Sequence, residues 1–320
     1  MPMKMASFTE WIASYNQWNL PAFPPTWSFF MRWFVLFILA LFVAAPLKAD
    51  DKADLVAKQK KAAMENVTKM GIDNTAFAET DNLILCGPFP QDKLKSWGDV
   101  VQKNYSFALK GLKVEPADLP TKGKIAVYFV PDRKIYTAFV GELLNDRVDK
   151  DEQSHFDVKS DTPWLAVTVL PGGKPTDFDV VAAGQIGVAL LQRKVGNAVL
   201  PSWMKEGFSK AIQLRSGGNA AMNERAAIKR WLASTKDKPS KYKVSDIWMT
   251  AEAADKRLLA ASLMEYFVYG SGAATFTKIT KALNPDENGQ KPTIEAALAS
   301  AEIKVDDLDK AWKKWVLTGK

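Results

Sequence analysis

The sequence predicts an α+β fold, with a lobe of few strands leading into a mostly helical lobe. Three observations predict it. Short apolar runs rich in β-branched and aromatic residues, KIAVYFV at 124–130 and WLAVTVL at 164–170, are bounded by Pro and Gly. After residue 176 the apolar positions recur at helical spacing almost to the end, broken by the Pro/Asn/Gly-rich stretch at 284–292. At 47% hydrophobic and 25% charged, the chain has the composition of a globular protein able to bury a core.

Taken in order, the first element is Trp33–Ala45 (WFVLFILALFVAA), an uninterrupted apolar run preceded by Met31-Arg32 and followed by Pro46-Leu47-Lys48-Ala49. It is shorter than the roughly 20 residues that a membrane-spanning helix needs, and it suits the apolar centre of a signal peptide. Residues 1–49 are therefore expected to be a signal peptide or an N-terminal membrane anchor. A start at Met31 gives a compact signal cleaved after Ala49, whereas retention of Trp27–Leu47 gives an anchor. The protein is expected to be exported, periplasmic or at the cell surface, touching a membrane only through this segment.

Residues 50–75 are charged and helix-prone, a helical lead or a linker that closes on Gly71 and Asp73-Asn74. An α/β lobe is expected over 76–176, with a strand at 82–86, a helix at 91–110, a strand at 124–130, a helix at 132–146 and a strand at 164–170. A helical lobe is expected over 177–320, forming one folding unit with 76–176.

Composition excludes some functions. The formal net charge of +7 is mild, and its Lys residues are dispersed rather than gathered with aromatics into a patch. Nucleic acid is therefore not an expected partner. Cys86 is the sole cysteine, so no internal disulfide forms, and its apolar setting (LILC) marks a buried small hydrophobe. Aromatics such as Trp164, Trp203 and Trp312 are expected to pack in the core rather than to form a sugar platform.

The segment 177–215 carries the functional argument. Its first part, with Val181, Val188, Leu191 and Val195 at helical spacing, is an amphipathic helix interrupted by Gly184 and Gly187. Each mid-helix glycine costs about 1 kcal/mol relative to Ala, so close packing is expected there. A second helix, starting at Pro201, carries W-M-K-E-G at Trp203–Gly207.

Together with NLILC at 82–86, KIAVYFV followed by P-D-R, LPSWMKEGF at 200–208, SLMEYFVYG at 262–270 and AWKKWV at 311–316, this layout resembles an exported bacterial gluzincin-like metallopeptidase domain family. In that family an H-E-x-x-H helix is followed by a Glu inside W-x-x-E-G. The resemblance implies a zincin-like fold and a vestigial metal site at Gly184, Gln185, Val188 and Glu206. Gly184 and Val188 stand where two imidazoles would bind Zn²⁺, Gln185 where a general base would act, and Glu206 where a third ligand would come from. The string here, GQIGV, has lost that chemistry, since Gly and Val offer no donor atom and an amide takes no proton. No catalytic residue, metal or cofactor is expected.

Two other motifs are weaker. Ser202-Trp203-Met204-Lys205 matches S-x-x-K, but S-D-N and K-T-G are both missing. Gly207–Ala211 approximates G-x-S-x-G with its last position wrong and within a helix. His155, the one imidazole, lies in the polar run Asp149–Lys159 and is expected to be an exposed residue of a loop or edge strand.

The resulting expectation is a catalytically inactive gluzincin-like pseudo-peptidase serving in binding, scaffolding or envelope structure, with a peptide or protein in the former substrate cleft. One alternative is an active hydrolase or metallopeptidase with non-standard site residues. The other is a purely structural envelope protein whose cleft has filled in. N-terminal sequencing of the protein made in its own host should find Asp50 first; a membrane-bound product retaining Trp27–Leu47 would establish the anchor instead.

Overall fold

The computed structural model describes residues 49–319 apart from 73, 115–122, 145–146, 151, 159, 171–177, 234–239, 241 and 250–253. The apolar run Trp33–Ala45 lies outside the described residues. The chain divides into Met1–Asp51 and Lys52–Lys320, and the fold is that of the second unit. Among the described residues no helix is long and apolar enough to cross a membrane.

The architecture is α+β, built on a mixed sheet in the order β1-β2-β3-β5-β4. Strands β2 (Leu83–Gly87), β3 (Ile125–Phe129) and β5 (Trp164–Val167) run parallel, while β1 (Ala76–Glu79) and β4 (Ser154–Asp157) close the two edges antiparallel. Every residue of the three inner strands is buried, which is why they read as continuous apolar runs. Alternation sends Leu83, Leu85, Ile125, Val127 and Leu165 to one face, against helices α2 (Gln91–Leu112) and α4 (Phe178–Val195). Ile84, Cys86, Ala126, Tyr128 and Ala166 face the other way, towards α1 (Ala49–Met70) and α3 (Arg133–Leu144). Burial pushes the Cys86 thiol pKa well up, so it stays protonated in that layer.

Helix α1 is a packed layer of the fold and not a linker. Ala63 and Val67 bury against the sheet, and Gln59 Oε1 accepts the Lys124 N–H at 2.7 Å while its Nε2 donates to the Asp161 carbonyl at 3.0 Å. Asn66 Nδ2 donates to the Tyr128 hydroxyl at 3.1 Å.

The helical half follows as α5 (Ser202–Ser216), α6 (Asn219–Leu232), α7 (Val244–Met249), α8 (Ala254–Tyr269), α9 (Ala273–Ala282), α10 (Ile294–Ser300) and α11 (Val305–Thr318). Helix α5 begins after Pro201, whose φ of −65° suits a helix start, and stops at Gly217 with φ 88°, a conformation that favours glycine. It packs on α4 at one side and on α8 at the other. The α8 contact is at backbone distance: a Cβ on Gly207 would lie 2.7 Å from the Ala260 carbonyl oxygen and 2.8 Å from its carbon. A backbone neighbour cannot rotate away as a side chain can. Gly207→Ala should therefore destabilise the fold by about 2 kcal/mol, in the range of overpacked cores. Urea unfolding checks this, and an unchanged midpoint would show that the two helices separate without cost.

Candidate functional site

Among the described residues strand β4 sits outermost, paired only with β5. Thr168 N–H donates to the Gln153 carbonyl at 2.9 Å, and the register places His155 opposite Ala166 and Asp157 opposite Trp164. In an antiparallel ladder the hydrogen-bonded pairs alternate. Ser154 and Phe156 therefore turn their N–H and C=O groups away from β5, along an edge with no strand beside it among the described residues.

A cleft of about 870 Å³ opens along that edge. Its walls are residues 152–156, then Val180, Val181, Gln185 and Val188 of α4, and Ser202, Lys205, Glu206, Ser209, Lys210 and Gln213 of α5. Glu224 of α6 and Arg257 and Leu258 of α8 close it. On each long helix these residues recur three and four apart, so each wall is one helix face. The α4 wall is mainly apolar and the α5 wall polar.

Three close contacts between ionisable side chains surround the cleft. Lys210 Nζ lies 2.8 Å from Glu224, and His155 Nδ1 lies 2.8 Å from Glu152. Arg257 Nε lies 3.8 Å from Glu206, with side chains 62% and 48% exposed, so water screens that pair. Among the described residues Lys205 has no ion-pair or side-chain hydrogen-bond partner. Ser202 and Lys205 are not hydrogen-bonded to one another, so the S-x-x-K string forms no nucleophile pair.

His155 differs from expectation: its side chain is only 12% exposed. Strand alternation is the reason, since His155 opposite Ala166 points to the α3 face, where its Nδ1 lies 3.4 Å from the Tyr136 hydroxyl. Burial, helped by the Glu152 carboxylate, raises the Tyr136 pKa and keeps that hydroxyl protonated.

Of the four positions singled out in the sequence, Gln185, Val188 and Glu206 line the cleft together. Gly184 is buried beneath it: a Cβ there would run into Ser209 Oγ and come within 3.3 Å of Gln213 Nε2. Gly187 likewise admits the Ile212 Cδ1 methyl. What fits against the two glycines is thus the side chains of α5, not its backbone. The residues present do not fit a zinc ion. Gly184 and Val188 have no donor atom, the space beside Gly184 is taken by Ser209, and Glu206 faces Arg257. Among the described residues no group of three or more His, Cys, Asp or Glu side chains converges.

A buried ion network holds the α5 wall in place. Glu265 of α8, 4% exposed, accepts from Arg215 Nε at 2.7 Å and Arg225 Nη2 at 2.6 Å on the same oxygen. Arg215 stacks on the Tyr269 ring at 4.5 Å, and the Tyr269 hydroxyl donates to the Phe107 carbonyl of α2 at 2.8 Å. One signal for it stood in the sequence, since Glu265 is the lone charge in the apolar run 258–269. The cleft residues Lys210, Glu224 and Arg257 gave no such signal, because they come from three helices.

No protein-family model matches the chain, and no curated protein matches it.

The filled position beside Gly184 has a direct test. Gly184→His, Gln185→Glu and Val188→His together write H-E-I-G-H ahead of Glu206, but the new imidazole at 184 collides with Ser209. Adding Ser209→Gly should clear it. After dialysis against zinc, the fourfold variant is expected to retain metal, and the threefold variant and the parent to retain none. Equal retention by parent and fourfold variant would contradict a vacated metal frame. Equal retention by the threefold and fourfold variants would show that Ser209 does not fill it.

Proposed function

We propose that this chain is an exported, catalytically inactive gluzincin-like protein, zincin-like in its fold, that holds an extended segment of another polypeptide in its former substrate cleft. The observation that carries the reading is the convergence of Gln185, Val188 and Glu206 on a cleft walled by the unpaired edge of β4. An edge strand offers N–H and C=O groups to an incoming strand, which is how many domains take up extended peptides. The cleft supplies hydrogen bonds rather than reaction chemistry: Gln185 cannot take a proton from water, whereas its amide both donates and accepts. Its role is then binding or scaffolding in the cell envelope, with residues 1–49 as the exporting or anchoring segment. The rival reading of a cleft filled with side chains is disfavoured by the open volume of about 870 Å³ beside Gln185 and Glu206.

Hydrogen exchange on the whole chain tests this. With a saturating tryptic digest of casein as probe, the amides of 153–157 and the first turns of α5 should slow, and the peptides should be recovered intact. Unchanged exchange at 153–157, or cleavage of the peptides, would overturn the proposal.

A further inference from the structure

Resting on that reading, the charge arrangement narrows the occupant. We infer that the cleft selects an extended segment bearing a carboxylate, and that Lys205 is the residue that recognises it. Every other charged side chain on the cleft wall already has a partner beside it: Lys210 and Glu224 pair at 2.8 Å, Arg257 and Glu206 at 3.8 Å, and Glu152 lies 2.8 Å from His155 Nδ1. Lys205 alone among these described groups has none. It is half-buried and lines the cleft one turn before Ser209 on the polar face of α5.

A strand added to β4 would turn alternate side chains to opposite sides. Those on one side would meet Lys205, Ser209 and Gln213 of the α5 wall, and a carboxylate there would give Lys205 the counter-charge it lacks. A basic side chain at the same place would bring two ammonium groups together in a partly desolvated groove. Such like-charge contact discriminates between partners more than it changes overall affinity.

The probes are three capped peptides of alternating Val and Ser with a central Glu, Gln or Lys, and the readout is fluorescence anisotropy with the whole chain. The parent should bind the Glu peptide about tenfold more tightly than the Lys peptide, and added salt should shrink the gap. Lys205→Glu should reverse the order, and Lys205→Gln should level it. Ser154→Pro should weaken all three peptides together, because it removes an N–H that points away from β5 and leaves the β4–β5 ladder intact. Equal affinities in the parent, all lost in Ser154→Pro, would overturn the role of Lys205 and leave the peptide groove standing. If no peptide binds, or if Ser154→Pro changes nothing, the groove fails and the inference fails with it.

Discussion

The rest of the structure depends on the placement of α5 between two helices at once. Against α8 its Gly207 touches the Ala260 backbone, and against α4 the side chains of Ser209 and Ile212 enter the space left by Gly184 and Gly187. A slide of one residue would bring a Cβ into either contact, since one uses the missing Cβ of Gly207 and the other those of Gly184 and Gly187. Glu265 then ties Arg215 and Arg225, anchoring the end of the helix whose earlier turns carry Lys205, Glu206 and Ser209. A buried carboxylate shared by two guanidinium groups contributes little net stability, but losing one partner strands a charge, which makes it a device for register.

The second constraint is the exposed side of β4. An unpaired strand edge invites aggregation, and proteins commonly keep such strands short or shield them. Strand β4 is four residues long, and helix faces from α4 and α5 wall the space beside it. Polar α5 side chains and a mainly apolar α4 face line that space together, which suits a strand with different side chains on its two sides. The same geometry explains why Glu206 is half-exposed beside Arg257: with no donor atoms at 184 and 188, nothing draws its carboxylate inward.

Much of the fold was legible in the sequence because burial on both faces leaves an unmistakable trace. LILC, IAVYF and WLAV are continuous apolar strings, and each became an inner parallel strand. The edge strands AFAE and SHFD were harder to read, being four residues long and partly polar, and β1 passed unseen. His155 shows the limit of a local reading: a polar neighbourhood suggested exposure, while alternation along β4 turned its ring onto α3. That α4 packs closely against a neighbour was legible from its two costly glycines. What fills the gap at Gly184 was not, since Ser209 reaches it only through the crossing of the two helices. Lys205 appeared in the sequence as part of a misleading S-x-x-K string, and its charge acquires meaning only beside the paired charges of α6 and α8.

Under the proposed function, the crossing of α4 and α5 holds packed side chains and no bound metal. Elemental analysis of the full chain purified from its own host, without added chelator, measures this most directly. Zinc well below one equivalent per chain is the expected result. Stoichiometric zinc that survives gel filtration would contradict it, and would return the cleft to metal chemistry.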